Sequence, residues 1–152
     1  MIENVFSSGL KRPRKIIFFI LILFIISGSA LATTITVQSG ESIQEAIDQA
    51  RTGDVIEVMS GTYQGTLDIK NEVSLMGIDS GKGMPVIDAG SILGSVFITA
   101  NNSQISGFKI LNPNGDGIDV ISSNNIISNN FIEACGAAIY LMVSDGNTIA
   151  NN

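Results

Sequence analysis

Two aspartates form the one carboxylate pair in this sequence whose spacing suits catalysis. Asp116 and Asp119 stand three residues apart in the stretch NGDGIDV. Hydrolysis of a glycosidic bond uses two carboxyl groups about 5 to 10 Å apart. Asp116 lies between two glycines, which predicts a turn. Asp119 alternates with Ile118 and Val120, which predicts an outward position on a strand. We name Asp116 and Asp119 as the catalytic candidates of this chain.

Two other site chemistries have less support. A base that removes a proton beside a carboxylate would have to be Lys109, the one cation of the repeated half. Lys109 alternates with Phe108 and Ile110, so we expect it to face solvent. The stretch GDGID matches part of a calcium-binding nonapeptide, but that motif needs repetition and occurs once here. We predict no cofactor, and calcium stays an unsupported alternative.

The segment after residue 32 is strongly acidic. It holds thirteen of the fourteen acidic residues and four of the eight basic ones. The four cations are Arg51, Lys70, Lys82 and Lys109. So few positive charges cannot neutralise a row of phosphates, and we therefore exclude nucleic acid as a partner.

The N-terminus has the pattern of a targeting segment. A basic cluster at residues 11–15 precedes the apolar run Ile16–Ile26, and SGSALA follows it. A membrane-spanning helix needs about 20 apolar residues, and this run is shorter. We predict a signal peptide over residues 1–32 and an exported chain, whether extracellular, periplasmic or on the cell surface. The alternative is an uncleaved anchor, with membrane contact through residues 16–32 alone.

A short strand and one amphipathic helix are predicted for residues 33–53. Ser42 and Glu45 form a capping box at the start of the helix. An apolar stripe follows at helical spacing: Ile43, Ala46, Ile47 and Ala50. We expect Gly53 to end the helix.

Residues 54–152 contain short β-rich runs with a period near 22 residues. Ile105, Ile127 and Ile149 recur at this spacing, and so do asparagines at the turns. Such a period predicts a coil that stacks on itself, with inward residues about 4.8 Å apart from turn to turn. The preceding helix then covers the first hydrophobic layer.

The ending NTIANN is the beginning of a third copy of the repeat. We expect Asn151 and Asn152 to stack on Asn129 and Asn130 as part of the scaffold. We also expect that the coils as given are C-terminally truncated.

The stretch Ile35–Gly81 resembles the opening of right-handed parallel β-helix proteins of the pectin-lyase-like superfamily. The shared features are TGDVIEV, GTY and VSLMGI. The particular likeness is to the NosD-type periplasmic copper-binding β-helix domain and to archaeal surface β-helix proteins. The resemblance implies an all-β fold, a right-handed parallel β-helix solenoid with an N-terminal amphipathic capping helix.

The likeness to a copper-binding domain raises the question of a copper site. Copper favours imidazole, thiolate or thioether ligands. The sequence has no histidine and a single cysteine, Cys135, which we expect to be a small buried residue. The methionines after residue 32 are expected to pack in the core: Met59, Met76, Met84 and Met142. The sequence therefore disfavours copper.

The functional expectation follows from the shape and the resemblance. A β-helix presents flat faces with outward residues such as Thr99 and Tyr140, and the resemblance implies carbohydrate as a common ligand. We expect a non-catalytic module that binds an extended polysaccharide or cell-wall glycan, or acts at the cell surface. One alternative is a structural spacer or adhesin repeat. The other is a fragment of a polysaccharide lyase, hydrolase or epimerase whose active site lies in missing coils.

Overall fold

The computed structural model describes residues 31–90, 94–134 and 136–152. Residues 1–30, with most of the predicted signal peptide, and Cys135 lie outside the described residues. In chain order the elements of the described part are β1 (Thr34–Val37), α1 (Ile43–Gln49), β2 (Val55–Met59), β3 (Thr62–Gln64), β4 (Leu67–Ile69), β5 (Ser74–Ile78), β6 (Val86–Asp88), β7 (Val96–Ile98), β8 (Gln104–Ser106), β9 (Lys109–Asn112), β10 (Ile118–Val120), β11 (Ile126–Ser128), β12 (Phe131–Ala134), β13 (Ile139–Leu141) and β14 (Thr148–Ala150).

The strands form three parallel sheets that run side by side along one solenoid. Sheet A has the order β1-β2-β5-β8-β11-β14, sheet B has β12-β9-β6-β3, and sheet C has β13-β10-β7-β4. Successive turns of the chain add one strand to each sheet, over about five turns of about 22 residues. The predicted parallel solenoid is confirmed.

The core consists of inward side chains stacked from turn to turn. In sheet A, Leu75 pairs in register with Ile105, which pairs with Ile127, which pairs with Ile149. Leu75, Ile105 and Ile127 are fully buried. Each of these buried aliphatic side chains stabilises the fold by about 1.5–3 kcal/mol relative to exposure. The stacking predicted from the 22-residue spacing is confirmed.

Asparagines at the corner between sheets A and B link each turn to the next. Asn129 and Asn151 take the left-handed conformation, with φ of 57° and 55°. Beside them, the Phe108 N–H donates to Asn130 Oδ1 at 3.1 Å, and the Asn130 N–H donates to Asn152 Oδ1 at 3.1 Å. The predicted scaffold role of these asparagines is confirmed.

A second asparagine column stands at the corner between sheets C and A. The Ser103 N–H donates to Asn125 Oδ1 at 2.9 Å, and the Asn125 N–H donates to Asn147 Oδ1 at 2.8 Å. Asn125 is fully buried. We call the four side chains of the two columns the asparagine ladder: Asn125, Asn130, Asn147 and Asn152.

The helix α1 has seven residues and begins where the capping box predicts. Ser42 Oγ accepts the Glu45 N–H at 3.2 Å, and Ile43 and Ile47 are buried. The prediction that Gly53 ends the helix is wrong, because the helix ends at Gln49 and Ala50 is already extended. The turn that follows is built around the Asp54 carboxylate, which accepts the Arg51 N–H at 2.8 Å and the Thr33 N–H at 2.8 Å.

The helix also covers the open edge of sheet C. The Asp68 N–H donates to Gln44 Oε1 at 2.8 Å, and Gln44 Nε2 donates to the Asp68 carbonyl oxygen at 3.3 Å. One side-chain amide thus replaces the strand that β4 lacks on this side, which blocks pairing with another chain. Within the described ranges, no helix has the length and apolar character that crossing a membrane requires.

Candidate functional site

The candidate Asp116 lies in the turn between β9 and β10. Its Oδ1 accepts the Ala137 N–H at 2.6 Å, and its carbonyl oxygen accepts the Ser95 N–H at 3.1 Å. Asn112 Nδ2 donates to the same carbonyl at 2.8 Å. Asp116 therefore connects its own turn of the solenoid to the turns on both sides.

The other candidate, Asp119, lies at the centre of β10 and points outward, as predicted. Its neighbours Ile118 and Val120 are fully buried, whereas Asp119 is half-buried. In the sheet it pairs with Phe97 on one side and with Tyr140 on the other. An aromatic side chain thus flanks this carboxylate on each side.

The surroundings of Asp119 favour its neutral form. Burial, and then the charge of Asp116, raise the pKa of the Asp119 carboxyl above its ordinary value of 3.8. Its Oδ1 is buried without a hydrogen-bond partner. Its Oδ2 occupies the space above Gly94, where a Cβ atom would collide with it.

The two carboxyl groups differ in the chemistry open to them. A carboxyl with a raised pKa suits a general acid. The partner in a hydrolytic pair must hold a water or attack the sugar, but one oxygen of Asp116 is already bonded to a backbone amide. The structure brings the two residues into electrostatic contact, and their catalytic use stays a prediction.

The outward residues of sheet C form a row along the solenoid axis. The register joins Asp68 to Phe97, Phe97 to Asp119, and Asp119 to Tyr140. We call these four residues the outer row. Acidic and aromatic side chains alternate along it, and Tyr140 is 48% exposed. Thr99 beside the row donates through Oγ1 to Asp68 Oδ1 at 3.2 Å, so the predicted outward positions of Thr99 and Tyr140 are confirmed.

Two members of the outer row were not predicted from the sequence. Asp68 and Phe97 precede the regular 22-residue repeat, and longer loops separate β4 from β7. A signal exists in the triplets LDI, VFI, IDV and IYL, which each place one outward residue between two apolar ones.

Lys109 lies outside the outer row, on the outer face of sheet B. Its Nζ forms an ion pair with Glu133 at 3.0 Å and lies 5.3 Å from the centre of the Phe131 ring. Its predicted outward position is confirmed. Its ammonium group is therefore oriented by sheet B residues rather than by the aspartates.

The predicted core position of the methionines is wrong for two of them. Met84 is 38% exposed in a loop, and Met142 is 47% exposed just after β13. Strand alternation turns Met142 outward, since the preceding Leu141 continues an inward column. Among the described residues, no three or more His, Cys, Asp or Glu side chains come together as metal ligands.

Comparison with known proteins gives one match. The family model described as a right-handed beta helix region matches residues 77–152. No curated protein and no solved structure matches the chain.

Proposed function

The chain belongs to the right-handed β-helix family, and from that premise we propose that it is an exported, non-catalytic surface module. We propose further that it binds an extended neutral polysaccharide on the outer face of sheet C.

The outer row is the observation that carries this proposal. Phe97 and Tyr140 lie two strands apart in sheet C, which corresponds to roughly 10 Å along the axis. That distance is comparable to the disaccharide repeat of an extended sugar chain, so each ring can pack against the apolar face of alternate sugars. Between the rings, the Asp119 carboxyl offers a buried oxygen without a hydrogen-bond partner to the sugar hydroxyls.

The charge of the row favours a neutral glycan over a polyuronate. Asp68 and Asp119 lie in the row, and Asp116 lies beside it. Of the cations in the described ranges, Lys70 is paired with Asp48 and Lys109 with Glu133. Sugar carboxylates along this face would therefore meet repulsion without a compensating cation.

The non-catalytic part of the proposal rests on Asp116. Its carboxylate is a tether between turns, bonded to the Ala137 amide. A carboxylate fixed in this way is poorly placed to take up a proton or attack a sugar. The export part rests on the basic cluster and the apolar run of residues 11–26. If export occurs as proposed, mass spectrometry of the secreted protein gives a mature N-terminus at Thr33.

Affinity gel electrophoresis with neutral and acidic polysaccharides tests the binding. The proposal predicts that neutral β-linked glycans retard the protein, whereas polygalacturonate does not. Tyr140→Ala reduces the retardation about tenfold, because an exposed ring contributes about 1 kcal/mol or more through packing. Phe131→Ala is the matched control, since Phe131 is 52% exposed on sheet B. An absence of binding to every glycan would favour the spacer or adhesin alternative.

A further inference from the structure

Beside the outer row lies a group of exposed apolar side chains. Ile121, Met142 and Val143 are 45%, 47% and 96% exposed. We call these three residues the apolar flank. Large exposed apolar groups that lie together mark an interaction site in a soluble protein.

The register fixes how the apolar flank lies relative to the row. The Ile121 N–H donates to the Ile98 carbonyl at 3.1 Å, and the Met142 N–H donates to the Val120 carbonyl at 2.9 Å. The parallel pairing thus continues past β10 and β13, with Ile121 and Met142 in adjacent turns, about 4.8 Å apart. Met142 follows Tyr140 by two residues, so strand alternation directs both side chains to the same side. The flank is therefore continuous with the row.

Val143 holds its exposed position at a conformational cost. Its φ is +49°, a left-handed value that is unfavourable for a β-branched residue. Elsewhere in the same corner, the left-handed positions are occupied by Asn102, Asn124 and Gly146, residue types that adopt this conformation readily.

A one-residue bulge creates the Val143 position. Ile118 pairs with Ile139 in the adjacent turn, 21 residues on, but Asn125 bonds to Asn147, 22 residues on. The extra residue is inserted between these two links, next to Val143. The bulge projects a strained apolar side chain beside the aromatic end of the row, and such strain is characteristic of functional positions.

We propose that the apolar flank binds the methyl groups of acetylated neutral sugars, so that the ligand of the outer row is an acetylated glycan. This inference rests on the proposed function. The row supplies ring packing and hydrogen-bond acceptors, whereas the flank has no charged or hydrogen-bonding side chain. A sugar hydroxyl over the flank would lose its bonds to water, and an acetyl methyl group would be removed from water favourably. An N-acetyl and an O-acetyl group share this chemistry.

Calorimetric titration of the full chain with two matched ligand pairs tests the inference. One pair is chitopentaose and cellopentaose, which differ in the N-acetylamino group. The other is an O-acetylated xylan and the same xylan after alkaline deacetylation. The acetylated member binds more tightly by about fourfold for each methyl group that the flank covers, equivalent to about 0.8 kcal/mol. The pair that shows the preference identifies the source of the methyl group.

Substitutions in the flank make the test specific. Val143→Gly removes the side chain at a φ that glycine favours, so the fold is retained while the preference for acetylated ligands falls. Ile121→Ala lowers the same preference. Ile126→Ala is the matched control, because Ile126 is 43% exposed on the outer face of sheet A, and its substitution leaves the preference unchanged.

The outcomes separate this inference from the function on which it rests. Equal affinity for both members of each pair, or a preference that survives Val143→Gly and Ile121→Ala, overturns the acetyl site and leaves glycan binding standing. Failure of all four ligands to bind refutes the glycan-binding proposal itself, and the acetyl site with it.

Discussion

The asparagine ladder and the outer row of sheet C both run along the solenoid, yet their polar groups are treated in opposite ways. In the ladder, Asn130 accepts the Phe108 N–H and also donates to the Ile105 carbonyl at 3.2 Å. In the row, Asp119 has a buried oxygen without a partner. One column satisfies its own hydrogen bonds from turn to turn, whereas the other retains unused bonding capacity at the surface.

The left-handed residues show the same contrast. Asn129 and Asn151 lie beside the ladder, and their side chains contact each other at 3.5 Å. Val143 lies beside the row, where its side chain is almost fully exposed. A residue type suited to its backbone indicates scaffold, and an unsuited, exposed one indicates a site. The comparison therefore assigns stability to the ladder and binding to the row and its apolar flank.

The largest expected effect is the loss of one asparagine from the ladder. Asn130→Ala leaves the buried Phe108 N–H and Ile105 carbonyl unpaired, and we expect it to lower the free energy of unfolding by about 3 kcal/mol. Urea unfolding measures the change. Asn129→Gly is the control, because glycine fits the left-handed backbone and should change stability by only a few tenths of a kcal/mol. A loss below about 0.5 kcal/mol in Asn130→Ala would contradict the scaffold role.

The opposite sign is expected beside the row. Val143→Gly relieves a left-handed conformation that costs an L-residue about 1–2 kcal/mol, although glycine also gains entropy in the unfolded chain. We expect a net stabilisation of about 0.5 kcal/mol, measured by the urea midpoint. Val143→Asn, which also suits this conformation, should behave alike. Destabilisation by both variants would mean that Val143 is part of the scaffold.

Asp119 should make stability depend on pH. Because its pKa is raised in the folded state, its ionisation at neutral pH costs folding free energy. Asp119→Asn is therefore expected to be more stable than the wild type at pH 7. The difference should shrink as the pH falls through the raised pKa and vanish below the ordinary value of 3.8. Thermal unfolding between pH 3 and pH 8 measures this, and a difference that stays constant with pH would be contrary to it.

The smallest effect belongs to a polar contact outside both columns. Lys109 and Glu133 are paired at the surface, with side chains 38% and 58% exposed. Solvent screens such a pair, so Lys109→Gln should change stability by less than about 1 kcal/mol and leave glycan binding unaltered. Thermal unfolding in low and high salt provides the measurement. Loss of binding in this variant would place the ligand on sheet B.

The regular repeat explains why the ladder could be predicted from the sequence. Once Ile105, Ile127 and Ile149 establish the period, each asparagine has a copy 22 residues away, and stacking follows from geometry. The outer row was only partly accessible. Asp119 and Tyr140 fall within the regular turns, but Phe97 lies beyond loops of irregular length.

Tertiary structure decided the remaining cases. The helix ends before Gly53 because the Asp54 side chain organises the following turn, which a local pattern does not show. The bulge beside Val143 was visible as a change of spacing from 21 to 22 residues, but its left-handed backbone was not. Residue-type propensities argue against valine at such a position, so the sequence alone favoured a plain turn.

An NMR titration of the full chain with a neutral pentasaccharide tests the central claim most directly. The account predicts amide shift changes at Phe97, Asp119 and Tyr140, with the Val143 amide added when the sugar is acetylated. The sheet A amides of Ile126 and Ser128 should remain unchanged. Shift changes on sheet A or sheet B without changes along the outer row would contradict the assignment of binding to this face.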